Sequence, residues 1–353
     1  MGYRYIGSKE KLASSLIDIM LREVPNATSA IDLMAGTGNM SLAFRKSGLS
    51  VSASDVMTYS YHHLIVNLFL NSAPSFNGLL NIIPGITFNS KNNYAKVIDF
   101  LNSLPASKGF FYSEFSPAGN PTNASKPRMY YTEYNAGKID SIRTTISQWY
   151  TNSLIAESEH SLLIHNLILD SNDIANIAGT YGHYLSHFVK RSLSELTLKP
   201  IEFDPSDNIC NHSVRLGYAE ELASSLYGDI CYIDPPYIKR QYAANYHILE
   251  TLAREDFPEA IGESGLRPWR DQYSNFCSKI KIFDSLERII SSIHCNNIFI
   301  SYSEDGLLSL PQLMTYLSKF GDVNVFTIDH KRFKSNQSTK SPIIKEYLLH
   351  LKK

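Results

Sequence analysis

The stretch from Ala30 to Asp55 constrains this chain more than any other. Ala30-Ile31-Asp32-Leu33-Met34 is a short apolar run that closes on Ala35-Gly36-Thr37-Gly38-Asn39. Met40 to Lys46 has amphipathic helical spacing, and Val51-Ser52-Ala53-Ser54-Asp55 reads as a second strand. Strand, glycine turn, helix and strand in so short a span form a βαβ unit, because parallel strands need such a crossover. The chain is thereby committed to an α/β fold around a parallel sheet. The rhythm returns late in the chain. Gly228 to Ile233 is a buried-strand pattern ending at Asp234-Pro235-Pro236-Tyr237, and Asn296 to Tyr302 and Val323 to Ile328 are further strands. Ahead of the first strand, Leu12, Leu16, Ile19, Met20 and Val24 fall on one face, which predicts a helix from Lys9 to Val24 with Ser8 as N-cap.

The middle of the chain differs. Residues 103–128 mix Pro, Gly, Ser and Asn with aromatics too irregularly for a sheet core, and helical patterns follow around 135–150 and 157–188. The expected division is a sheet domain over 1–75 and 200–353 and a mainly helical insertion over 76–199, with a smaller insertion at about 255–285. At 43% hydrophobic and 19% charged residues the chain is globular, not disordered. Its 33 Lys+Arg nearly cancel its 34 Asp+Glu, so any surface for a polyanion must be local. Cys210, Cys231, Cys277 and Cys295 form no CxxC pair, and neither a disulfide framework nor a metal is expected. No apolar run reaches ~18 residues, and the charged N-terminus is unlike a signal peptide, so no membrane association and a cytoplasmic location are expected.

Ligands of a parallel sheet sit outside the carboxyl ends of its strands, where glycines let them approach the backbone. Gly36 and Gly38 occupy such a place, and Asp55, ending the next strand, can accept both hydroxyls of a ribose. No third glycine follows in register, so the turn suits an adenosine cofactor without a pyrophosphate better than a dinucleotide. Asp234 to Tyr237 is the most specific signal. A carboxylate and a proline carbonyl can accept both hydrogens of an exocyclic amino group and turn its lone pair toward an electrophile; Tyr237 offers a stacking face for a base. His183 and His187 lack the glutamate of a zinc-protease helix, and neither a nucleophile elbow nor a Walker A loop occurs.

These features together resemble the DNA adenine-N6 methyltransferases of the D12 class, whose cofactor motif lies near the N-terminus. Tyr5-Ile6-Gly7-Ser8-Lys9 matches that family's opening segment, Met34-Ala35-Gly36-Thr37-Gly38 its cofactor loop with Met in place of Phe, and Asp234-Pro235-Pro236-Tyr237 its catalytic tetrapeptide. The likeness extends through Arg240-Gln241-Tyr242, Asn245-Tyr246-His247, Arg332 to Asn336, Arg128-Met129-Tyr130 and Ala175 to Gly182. The resemblance implies the Rossmann-like sheet of class I AdoMet-dependent methyltransferases with an inserted target-recognition region. It also implies S-adenosyl-L-methionine as cofactor, held by Tyr5, Gly7, Ser8, Lys9, Asp32, Ala35, Gly36, Gly38, Asn39, Asp55, Val56 and Asp234. The catalytic set is Asp234, Pro235, Pro236 and Tyr237. Where relatives carry an acidic residue to hold the cofactor's adenine amino group, Tyr218 stands instead.

The implied activity is methylation of a flipped adenine in double-stranded DNA, within a restriction–modification system whose endonuclease is the functional partner. Expected DNA contacts are Arg128, Thr180, Tyr181, Tyr246 and Asn336, together with the basic residues Lys239 and Arg240 after the tetrapeptide and Arg332 and Lys334 near the C-terminus. An RNA adenine methyltransferase and a non-catalytic AdoMet- and DNA-binding module are the alternatives. A cytosine-N4 enzyme, which usually carries Ser at the position of Asp234, ranks below them.

Overall fold

The computed structural model describes residues 5–121, 123–204, 211–331 and 343–353. They fall into two compact units. Residues 8–57, 211–242, 273–331 and 343–353 form a sheet unit, and 5–7, 58–121, 123–204 and 243–272 a helical unit. The helix Thr58–Phe69 therefore lies in the helical unit, on the other side of the division expected at residue 75, and 273–285 lies with the sheet.

The sheet contains β1 (Ser29–Asp32), β2 (Ser50–Asp55), β3 (Ser213–Leu216), β4 (Ile230–Ile233), β5 (Asn297–Ser303), β6 (Asp322–Lys331) and β7 (Ile343–Lys352) in the spatial order β3-β2-β1-β4-β5-β7-β6. The first five are mutually parallel, and β7 runs antiparallel between β5 and β6. Central β4 is buried at every residue, as expected of a strand covered on both faces. The core joins Ile31 and Leu33 to Cys231, Ile233, Ile298, Ile300, Leu349 and Leu351, and the helix Ile282–Ser292 packs Leu286, Ile289 and Ile290 against it. At the amino edge, the Asp229 carboxylate accepts from the amides of Thr28 (2.8 Å) and Ser29 (3.0 Å), pinning the start of β1. The first helix spans Ala13–Glu23 with Leu12 as its N-cap, one turn later than the start expected at Lys9 with Ser8 as the cap.

The helical unit contains the helices Thr58–Phe69, Asn93–Ser103, Phe110–Phe115, Glu133–Thr151, Glu157–Asp173 and His247–Arg254. Buried polar side chains hold its backbone ends. Asp140 accepts from the amides of Gly109, Phe111 and Tyr112 at the start of Phe110–Phe115, and Glu250 from Thr58 and Tyr59 at the start of Thr58–Phe69. The helix expected over 157–188 stops at Asp173. Beyond it the Asn176 side chain donates to the carbonyls of Met129 (3.0 Å) and Leu185 (2.9 Å), offering the backbone an alternative to helical bonds.

Candidate active site

Parallel strands deliver their last residues to one edge, so Asp32 ends β1, Asp55 ends β2 and Asp234 follows β4 on the same side of the sheet. Between β1 and the helix Asn39–Lys46 the chain turns through Gly36 (φ 54°) and Gly38 (φ 75°), a left-handed conformation that a Cβ would strain. The Ala35 amide donates to the Ser54 carbonyl (3.0 Å), tying the loop to β2. Asp55 accepts from the Gly36 amide and the Met57 amide, each at 2.8 Å, so the residue expected at the ribose also shapes the loop. Val56 follows it half-buried. The Asn39 amide group donates to Thr37 Oγ1 (2.9 Å) and Ser8 Oγ (3.2 Å), bringing the N-terminal segment to the loop. Asp32 is fully buried. Its Oδ2 accepts from the Ser41 hydroxyl at 2.6 Å, while Oδ1 has no hydrogen-bond partner. Burial lifts its pKa to about 7 against the Ser41 bond, with Asp234 and Asp55 adding to the rise.

Lys9 forms the centre of a second cluster. Its Nζ lies 2.8 Å from Asp234 Oδ1, 3.1 Å from Glu346 Oε1 and 5.4 Å from the centre of the Tyr237 ring. Burial would lower the Lys9 pKa, but the charges of Asp234, Tyr237 and Glu346 together hold it well above the ordinary value. For Asp234 burial prevails, and its pKa rises to about 6 despite Lys9. Pro235 is buried and Pro236 half-buried. The Tyr237 carbonyl accepts from the Leu307 amide (3.0 Å), and its ring lies 5.7 Å from that of Tyr302 at 60°. Sequence reasoning placed Lys9 at the cofactor and did not find Glu346. The one available signal is an acidic residue amid apolar ones on the last strand.

Of the remaining expected residues, Tyr5, Gly7, Arg128, Thr180, Tyr181 and Tyr246 belong to the helical unit. In the helical unit Tyr5 stacks on Tyr246 (4.7 Å between ring centres), whose hydroxyl accepts from the Ile6 amide at 2.8 Å; Gly7 follows at φ 75°. Arg128, Tyr181 and Tyr246, expected at the DNA, are completely buried among the residues of the helical unit. Arg128 pairs with Glu114 and donates to the carbonyls of Ala260 (3.1 Å) and Gly262 (2.9 Å). The Tyr181 hydroxyl donates to Asn172 (3.0 Å). Thr180 is half-buried, and Lys239 and Arg240 are exposed. Arg332, Lys334 and Asn336 lie outside the described residues. Among the described residues no helix is long and apolar enough to cross a membrane.

A sheet in this order, with its antiparallel seventh strand and with carboxylates and a glycine turn along one edge, is the class I methyltransferase fold. The profile of the D12 class N6 adenine-specific DNA methyltransferases matches residues 5–315, and the chain belongs to that family. It is 34% identical over 99% of its length to the type II methyltransferase M.FokI of Planomicrobium okeanokoites and 31% identical over 99% to the modification methylase StsI of Streptococcus sanguinis, covering 52% of each. The chain thus spans about half the length of these two relatives. With the type II methyltransferase M.NlaIII of Neisseria lactamica it shares 30% identity over 99% of both chains.

Proposed function

We propose that this chain transfers the methyl group of S-adenosyl-L-methionine to N6 of an adenine in double-stranded DNA, as the modification half of a restriction–modification system with a cognate endonuclease. The carrying observation is Asp234 at the carboxyl end of β4, held by Lys9 and followed by two prolines and the Tyr237 ring. The residues present fit the cofactor. The unpartnered, buried Oδ1 of Asp32 would take its ammonium group, Asp55 its ribose, and the turn through Gly36 and Gly38 its close approach to the backbone. When bound, the cofactor supplies an electrophilic methyl group on a sulfonium. Asp234 and the Pro235 carbonyl accept the two N6 hydrogens and so aim the nitrogen lone pair. Tyr237 stacks on the base, a contact worth about 1–3 kcal/mol, which offsets part of the few kcal/mol needed to flip it from the helix. Asp234, with a pKa raised to about 6, is ionised at neutral pH and takes the proton as N6 becomes acidic. Lys239 and Arg240 contact flanking phosphates, and the helical unit, through Thr180 among others, supplies target recognition. We place the protein in the cytoplasm, where its DNA substrate would be.

Incubation with AdoMet and either duplex DNA or structured RNA, followed by nucleoside mass spectrometry, tests this reading. N6-methyladenine in the DNA is expected. Methylation confined to RNA, methylation of cytosine, or cofactor binding without turnover would overturn it.

A further inference from the structure

We propose that Glu346 is a positioning residue of the active site: brought to the carboxyl edge by the antiparallel course of β7, it shares the Lys9 ammonium with Asp234, so that Lys9 alone does not neutralise the carboxylate that accepts from the amino group. The inference rests on the function proposed above and deepens it. Glu346 pairs with Ser303 across the β5–β7 ladder, so the early part of an antiparallel strand meets the late part of a parallel one. Its side chain is 6% exposed, the Ser301 hydroxyl donates to its Oε1 at 3.2 Å, and the same oxygen faces Lys9 at 3.1 Å. One ammonium thus meets two carboxylates. A lone pair of Lys9 and Asp234 would be neutral. With Glu346 present the cluster keeps a net negative charge where positive charge develops, in surroundings that screen it weakly. Position 346 lies beyond residue 315, where the family profile's match ends.

The ionisable groups acting on Asp234 and Lys9 are Glu346 from β7, Asp32 from β1, Tyr232 from β4 and Tyr237 beyond it. Glu346 raises the proton affinity of Asp234 and Lys9 lowers it, so neutralising Glu346 must lower it further. Glu346→Gln is close in shape and tests charge with little change of packing. In the full chain it should cut kcat about tenfold or more with both KM values unchanged, and move the acid limb of the pH–rate profile to lower pH. Glu346→Asp should restore the acid limb and most of kcat. Carbon-13 titration of the Asp234 carboxyl, assigned with Asp234→Asn, reads the same displacement without turnover. A folded Glu346→Gln protein whose acid limb and carboxyl titration both stay in place overturns the proposal. If the wild-type protein makes no N6-methyladenine, the functional reading fails separately, and the carboxyl titration still decides on Glu346.

Discussion

The helical unit and the sheet unit both bury charged side chains, but to different ends. In the helical unit buried charge meets backbone as well as charge: Asp140 takes three amides, Arg128 two carbonyls besides Glu114, and Glu250 the opening amides of a helix besides Arg254. These side chains do what water would otherwise do for chain ends that turn inward. In the sheet unit charge is set against charge. Lys9 stands between Asp234 and Glu346, and Asp32 keeps one buried oxygen without a partner. Burial of an ionisable group therefore does not mark a site by itself; like charges gathered at strand ends, with bonding capacity left over, do.

The largest effect should come from Asp234→Ala. Single-turnover methylation by the folded protein should fall by a factor on the order of a thousand or more while DNA affinity holds. A wild-type rate in this variant would erase the distinction between the two units. Arg128→Met should do the reverse. Removing a buried ionic partner costs about 3–5 kcal/mol, read from urea unfolding, with no change in the rate constant of the folded fraction. Normal stability together with weaker, less salt-dependent DNA binding would return Arg128 to the DNA contacts. Asp55→Ala should weaken AdoMet binding about tenfold or more by calorimetry, since bonds to a charged acceptor contribute ~1.5–3 kcal/mol each. Unchanged affinity would remove Asp55 from the cofactor site.

The smallest effect concerns Asp32. Its pKa in the folded chain, about 7, lies above the ordinary carboxylate value, so its contribution to stability is present at low pH and is lost as pH rises through about 7. Asp32→Asn mimics the protonated form. It should melt about 2–4 °C above wild type at pH 8, and the gap should narrow at pH 5 and close only below about pH 4. Asp140→Asn should melt lower at both, because it gives up acceptors for backbone amides. Equal behaviour of the two variants would show that the contrast between the units is one of position only.

Much of the sheet and its edge was legible in the sequence, because βαβ periodicity and the Asp-Pro-Pro-Tyr turn are local. Ala30 to Asp55 needed only its own spacing to be read. Glu346 was not legible: its partners Lys9 and Asp234 are distant in sequence, and the insertion of β7 between β5 and β6 leaves no periodic trace. Within a basic C-terminal stretch the residue reads as one charge of a solvated face. Arg128 and Tyr181 show the opposite limit: their burial was not legible. A cation and a tyrosine in a polar, aromatic segment look like nucleic-acid contacts, since residue type does not report burial. The helix predicted through residue 188 ended early because Asn176 bonds to backbone distant in sequence, beyond the reach of a pattern of apolar spacing.

The late insertion of β7 also sets the order in which the site can come into being. A nascent chain that has passed Tyr237 already carries the glycine turn, all three strand-end aspartates and the tetrapeptide. Yet β6 emerges from the ribosome before the only strand it pairs with among the described residues, and Lys9 must wait for its second carboxylate until Glu346 has been synthesised. On the roles proposed above, the site acquires its second carboxylate only with a strand synthesised after all its other parts.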